Sequence, residues 1–348
     1  MTLLEKLGIT YPIIQAPMAG GATTPELIAA VSNFGGLGSL GAGMTTPAVL
    51  NEQINTIKNL TERPFMVNLM VLSDYDASTF DSKVPEWLAQ YYKEHKIEAM
   101  LPDRPAQSFV EQLQVLYDNP VPVASFTFGI ISTEQIQRLQ QLGTCVIGTA
   151  NHPLEAQAWA EIGADAVCLQ GMEAGGHRGG WLIESESDPL GLLNLISRTR
   201  ACTDTPLIAS GGIMTSQGIK SIQTAGAELA QIGTAFLTTD ESGINHTYKQ
   251  ALLDASLGNR SSETRLTRLF SGKAARGLVN EYLLDFAGFD NKNELPPYPQ
   301  LNAMTGPMRK TAAKNKDAEH LSLWAGQGVT QVKQERAITL LERLVQAL

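Results

Sequence analysis

The stretch Gln170–Gly180 reads QGMEAGGHRGG and sets a single histidine, His177, between two pairs of glycines. Glycine lets a backbone pass close to a neighbour where a Cβ would clash. An imidazole, with an unperturbed pKa of about 6.5, can take a proton or donate a hydrogen bond near neutral pH. Two further segments have the chemistry of an anion site. ASGGIM holds Gly211 and Gly212, and QIGTAFL holds Gly233 and Thr234. Each offers backbone N–H groups where a helix is about to start, and the second adds a hydroxyl. Asn68, Gln170 and Gln231 each end an apolar segment, and their amides can both donate and accept. Taken singly, each amide reads as a satisfied core group and each glycine pair as a turn.

The elements that must position these residues repeat along the chain. Apolar segments near residues 12–21, 36–43, 64–70, 121–129, 144–150, 165–171, 206–212 and 228–237 are each bounded by glycine or a helix-capping residue. Helical patterns follow most of them. Thr23 and Glu26 have capping-box spacing with Pro25 in the first turn, and Ser132 and Gln135 repeat that spacing. Strands alternating with helices imply βαβ units and a parallel sheet, which could be an open doubly wound sheet or a closed barrel. Eight units, with glycine pairs after the last two strands, favour an α/β fold of the (β/α)8 (TIM) barrel type. Its sites form at the carboxyl ends of the strands, and its phosphate sites often lie after strands seven and eight. The expected division is a barrel over 1–236 with a helical insertion at about 71–118, and a smaller, mostly helical second domain formed from that insertion and the tail 237–348, packing on the barrel mouth.

Composition narrows the chemistry. The chain has 348 residues and a formal net charge of −9, which argues against a nucleic-acid or anionic-membrane partner. Three cysteines form no CxxC and no even disulfide set, which suits a reducing cytoplasm. No apolar run approaches the ~18 residues of a membrane span, and the first residues lack signal-peptide character. HExxH, GxSxG and Cys/His ligand spacing are absent, so no metal is expected. GLGSLG (36–41) matches GxGxxG formally, but its glycines close a helix and enter a strand, the reverse of a dinucleotide fingerprint. One phosphate with a flat ring system over the barrel mouth points to FMN.

With these residues in hand, the sequence resembles the nitronate monooxygenase (2-nitropropane dioxygenase) family, its bacterial class I branch. QAPMAGG (15–21), QGMEAGGHRG (170–179), ASGGI (209–213), QIGTAFL (231–237) and the tail segments MTGPMRK and LSLWAGQG carry the resemblance. It implies noncovalent FMN and oxidation of alkyl nitronates, propionate 3-nitronate among them, by dioxygen to a carbonyl compound with nitrite or nitrate. By motif position, Asn68, Gln170, Gly175, Gly212, Gln231, Ile232, Gly233 and Thr234 would contact FMN, with Met18, Gly176 and Ser210 beside them. His177 would be the active-site histidine, reached by small-molecule nitronate and dioxygen. The protein would be a cytoplasmic monomer or homodimer. Glu173 reads as a helix-start or surface group and Arg178 as a solvated side chain. Two alternatives remain: an FMN-dependent enoyl-acyl-carrier-protein reductase, similar in the GMEAGGH region, and a barrel that binds a phosphorylated metabolite without redox chemistry.

Overall fold

The structure, a computed structural model, describes residues 1–73, 83–183, 187–291 and 293–348. Its strands are β1 (Ile13–Gln15), β2 (Gly38–Gly41), β3 (Phe65–Met70), β4 (Val123–Thr127), β5 (Cys145–Ala150), β6 (Ala166–Gln170), β7 (Gly176–His177), β8 (Leu207–Ser210), β9 (Leu229–Ile232), β10 (Thr264–Thr267) and β11 (Ala275–Leu278). Eight of them form one parallel sheet in the order β1-β9-β8-β6-β5-β4-β3-β2. Each of the apolar segments read from the sequence supplies one of these strands.

The sheet closes between β1 and β2. Ile14 bridges Leu37, with Leu37 donating to the Ile13 carbonyl at 2.9 Å and Gln15 to that of Leu37 at 3.0 Å. The ladder is short, and the Gln15 amide extends it. Its Oε1 accepts from the Ser39 N–H at 2.9 Å, and its Nε2 donates to the Ser39 carbonyl at 3.2 Å and to that of Ala16. Gln15 is fully buried. Below the seam, Ile14, Leu37, Met66, Val123, Ile147, Cys168, Ile208 and Leu229 fill the barrel, and Leu3 and Leu7 of the helix Leu3–Leu7 belong to the same core cluster. The carboxyl ends of the strands are left to the loops.

Local chemistry starts the helices. Thr24 caps Pro25–Phe34 by accepting from Leu27 N, with Pro25 at the first helical position. The cap lies one residue beyond the Thr23 expected from capping-box spacing. Thr23 instead donates to the Met18 carbonyl and accepts from Gly41 N–H, tying the first loop to β2. Ser132 and Gln135 form the expected capping box.

Packing draws the outlying regions differently from composition. The helix Phe109–Asp118, read as part of an insertion, packs on β3 and on the helices Pro47–Leu60 and Thr133–Gln141, in the place of the helix after β3. The helix Ala337–Val345, read as tail, packs on Pro25–Phe34 and Ser216–Thr224 and completes the ring after β9. Between them, Glu86–Glu94 joins the tail in a separate apolar cluster with Leu269, Phe270, Tyr282 and Met308. Residues 74–82 of the expected insertion lie outside the described residues. The tail also contains the hairpin β10–β11, which periodicity did not reveal, and β7 adds to it as an antiparallel third strand, pairing His177 with Ala275 and Gly176 with Arg276.

The seam gives a test. Gln15→Met removes the partners of two buried Ser39 groups, at about 1–3 kcal/mol each. We expect a loss of about 2–6 kcal/mol in urea unfolding and faster hydrogen exchange at the Ser39 amide. An unchanged midpoint and an unchanged Ser39 amide would show that the barrel closes without it.

Candidate active site

A cavity of about 730 Å³ opens over the carboxyl ends of the barrel strands. Every residue read as a site residue lines it: Met18 after β1, Asn68 on β3, Gln170 on β6, Gly175, Gly176 and His177, Ser210 and Gly212 at the end of β8, and Gln231 to Thr234 at the end of β9. The tail supplies the facing wall, with Tyr248, Tyr298, Asn302, Arg309, Trp324 and Gly326.

The glycines around His177 have four different reasons. A Cβ on Gly175 would come within 2.5 Å of the Ala325–Gly326 backbone, so the constraint is the tail segment packed against it rather than a ligand. Gly176 has φ +73° and faces open space, a conformation that L side chains rarely adopt. Cβ atoms on Gly179 and Gly180 would meet Thr127 with Thr149, and Asn151 with Glu155, all at 3.0 Å or less.

Buried polar groups fix this loop. The Gln170 Oε1 accepts from Gly179 N–H and from Asn151 Nδ2, both at 2.8 Å, and its Nε2 donates to the His177 carbonyl at 3.0 Å. Glu155, fully buried, accepts from the N–H groups of Asn151, Trp181 and Leu182 at 2.6–2.8 Å. Asn151 Oδ1 accepts from Gly180 N–H. The Gln170 amide oxygen is thus committed to the loop. Glu173 is a helix-start group: its carboxylate accepts from Leu192 N at 2.9 and 3.1 Å, where the cap residue Gly191 has no side chain. Arg178 is not solvated. It is 2 % exposed, and its guanidinium donates to the carbonyls of Gly171 and Gln170 at 2.7 and 2.8 Å where β6 ends, the second of which also accepts from Asn151 Nδ2 at 2.7 Å.

His177 Nε2 lies 2.8 Å from Ser271 Oγ. The Ser271 hydroxyl donates to the Lys273 carbonyl at 3.0 Å, so its oxygen accepts from the ring. With the hydroxyl so directed, the proton is assigned to Nε2 and the lone pair to Nδ1. Phe128, Tyr298 and Trp324 surround the ring, with centroids 5.3–5.8 Å away. Phe128 has φ +71°, and its N–H donates to the Gly179 carbonyl at 2.9 Å. Such strain in an aromatic residue persists only where its surroundings hold it. Burial, and then the charges of Lys273 and Arg309, push the His177 pKa down to about 3. The imidazole expected from sequence to titrate near neutrality is held neutral instead.

The opposite side of the cavity has the features of a phosphate cradle. Among the described residues, the N–H groups of Gly212, Gly233 and Thr234 find no protein acceptor. Gly211 and Gly212 have φ +129° and +69°, which turn the chain below the cavity. A Cβ on Gly233 would touch only Ala16 and Met18, at 3.5 Å or more. Thr234 Oγ1 accepts from Gly326 N–H at 3.0 Å and ties the tail to this corner. Gln231 lines the cavity, and Asn68 Nδ2 donates to Ser125 Oγ at 2.9 Å. The residues therefore fit a group with one phosphate and a polar ring edge.

Sequence reasoning missed Phe128, Ser271, Tyr298, Asn302, Arg309 and Trp324. MTGPMRK and LSLWAGQG had marked the last two segments as notable without saying what they faced. Among the described residues, no three His, Cys, Asp or Glu cluster as a metal site, and no helix is long and apolar enough to cross a membrane.

Against known proteins, a sequence profile of the family described as nitronate monooxygenase matches residues 1–347. A probable nitronate monooxygenase of Bacillus subtilis is 37% identical over 345 residues, covering 99% of this chain and 97% of that one. One from Staphylococcus haemolyticus is 40% identical over 348 residues, covering 99% and 96%. Among solved structures, the nitroalkane oxidase of Streptomyces ansochromogenes is 40% identical with a TM-score of 0.89, covering 99% of this chain and 96% of its own. FabK from Thermotoga maritima is 27% identical with a TM-score of 0.76, covering 99% and 94%.

The His177 geometry makes a spectroscopic prediction. Nitrogen-15 NMR of the imidazole should show a neutral, Nε2-protonated ring from pH 8 down to about pH 5. Because the folded pKa lies below the unfolded value of about 6.5, the unfolded state binds more protons between about pH 6.5 and 3. This residue's contribution to stability is therefore present above that window and lost as pH falls through it. A titration midpoint near 6.5 would contradict the assignment.

Proposed function

We propose, on the premise that this chain belongs to the nitronate monooxygenase family, that it oxidises alkyl nitronates with dioxygen on noncovalently bound FMN. The products are a carbonyl compound with nitrite or nitrate. Bound FMN would supply the electron acceptor and the reaction with dioxygen. The N–H groups of Gly212, Gly233 and Thr234 would hold its phosphate. Gln231, Asn68 and Ser210 offer polar groups for its ring edge and side chain, and Met18, Gly175, Gly176 and Ile232 line its bed.

The observation that carries the choice of substrate is the setting of His177, an imidazole enclosed by Phe128, Tyr298 and Trp324 in a cavity lined by Arg309 and, among the described residues, by no carboxylate. A nitroalkane must lose its α-proton before it can be oxidised, and the Streptomyces neighbour is named for that substrate. A general base works best with a pKa near the operating pH. A ring held down at about 3 by burial, Lys273 and Arg309 holds an abstracted proton poorly. A preformed nitronate needs no abstraction. Its negative charge also offsets the two cations and raises the affinity of Nδ1 for a proton. His177 can then take up a proton with the substrate and donate Nδ1–H to a nitronate oxygen, while Ser271 keeps Nε2–H in place.

The purified protein should be yellow and release FMN rather than FAD on denaturation. Ethyl nitronate should bleach the flavin anaerobically, and NADH or NADPH should do so slowly or not at all. We expect kcat/KM for ethyl nitronate to exceed that for nitroethane by at least about 10²-fold, the lower end of what base assistance is worth. Equal turnover of nitroethane would make His177 a working base and favour the nitroalkane reading. Rapid bleaching by a nicotinamide coupled to crotonyl-thioester reduction would favour the enoyl reductase, and a colourless protein that cannot be reconstituted would favour the non-redox barrel.

A further inference from the structure

We propose that Arg309 is the anion anchor of the substrate, gripping a planar two-oxygen anion inside the cavity. The inference rests on the nitronate reading for the identity of that substrate, and on the cavity itself for the rest.

The chain carries 35 acidic and 26 basic residues, yet its cavity reverses that balance. Arg309 and Lys310 line it, and no aspartate or glutamate among the described residues does. Lys310 is exposed to solvent. Nearby, Lys273 is engaged elsewhere, its Nζ donating to the Gly180 carbonyl at 3.1 Å and lying 4.9 Å from the Phe128 ring centroid. Arg309 is different. Its Nη2 donates to the carbonyl and Oδ1 of Asn302, at 2.5 and 3.1 Å, and both of these acceptors are neutral. Its Nε is buried with no partner. Among the described residues no carboxylate forms an ion pair with it. A partly buried cation without a counter-ion is costly, and the fold retains it on the wall that faces the substrate.

The placement is rigid. Arg309 lies in the helix Gly306–Asn315, and Thr305, which precedes it, donates its hydroxyl to the Phe270 carbonyl at 2.5 Å. Phe270 adjoins Ser271, the partner of His177, so cation and imidazole are held by one corner of the tail. A guanidinium fork matches two oxygens on one planar centre. A nitronate has that shape, and so does a carboxylate at the far end of a substrate such as propionate 3-nitronate. The backbone cradle of Gly212, Gly233 and Thr234 belongs to other loops, so anchoring here does not require Arg309 to hold the cofactor.

The test uses the flavin-loaded protein and two bare anions, nitrite and acetate, titrated by calorimetry. Arg309→Met should weaken at least one of them by about 10–100-fold, the range for losing a charge-assisted pair, while Arg309→Lys retains part of the affinity. Flavin content should not change. Asn302→Asp is nearly isosteric and gives Arg309 an internal counter-ion. It should weaken anion binding without lowering the melting temperature, and it decides the matter alone if Arg309→Met fails to fold. Kinetics assign the grip. An equal fall in kcat/KM for ethyl nitronate and propionate 3-nitronate places Arg309 on the nitronate, and a fall for the second alone places it on the carboxylate. Arg309-dependent anion binding without any nitronate turnover would sink the proposed substrate and keep the anchor. Anion affinities and kcat/KM values unchanged in both Arg309→Met and Asn302→Asp, or no anion binding by the wild type, would overturn it.

Discussion

His177 sits on a chain that leaves the barrel after β6 and returns for β8, and the pairing of β7 with β11 decides where it goes in between. Two residues of strand are a weak ladder by themselves. A slip of one position would turn His177 to the other face. The register holds because both sides are pinned. On the barrel side, Gln170, Asn151 and Glu155 satisfy the loop's N–H and carbonyl groups in buried surroundings. On the tail side, the same hairpin delivers Ser271 to the ring, 94 residues further along the chain. Removing a buried acceptor that serves several donors leaves each of them unpaired, so the carboxylate of Glu155 matters to the site although it lines none of it.

The site handles negative charge in two ways. On one side, backbone N–H groups at the ends of β8 and β9 lie in the cavity lining and find no protein acceptor among the described residues. Their partial charges do not titrate, and substitution cannot remove them directly, only through a glycine whose backbone geometry they need. On the other side, side chains from the tail surround His177, where burial and two cations keep the ring neutral. The first arrangement suits a group that stays bound. The second can change protonation as an anion arrives and leaves, which suits a group that turns over.

Much of this was legible in the sequence because local chemistry wrote it. Each barrel strand is a short apolar segment between glycines or caps, and the glycines that end β8 and β9 flank the same cavity as His177. What escaped was set by distant packing. Arg178 looks solvated in any composition-based reading, since nothing nearby announces that two carbonyls at the end of β6 accept from it. Thr264–Leu278 carries arginines at Arg265, Arg268 and Arg276, which mask the alternation of a hairpin. The aromatic wall around His177 draws on Phe128, Tyr298 and Trp324, from three separate parts of the chain. Helices Phe109–Asp118 and Ala337–Val345 read as parts of appendages because a linear pattern shows amphipathicity but not the partner it serves.

The position of Ala337–Val345 bears on how the molecule assembles. In a simple barrel each helix is made directly after its strand, and the wall can grow in the order of synthesis. Here the helix that follows β9 in the ring is separated from it by the whole segment 238–336, and its partner across the seam is Pro25–Phe34, from the start of the barrel. Contacts of that sequence separation are slow to form, because the intervening loop must close before they repay its entropy. Until residues 337–345 exist, Pro25–Phe34 and Ser216–Thr224 can pack on their strands, but the flanks that Ala337–Val345 contacts have no cover. The nascent barrel therefore passes through a stage with one gap in its wall, beside the seam that Gln15 stitches, and that gap is where a chaperone or an aggregating neighbour would find exposed apolar surface.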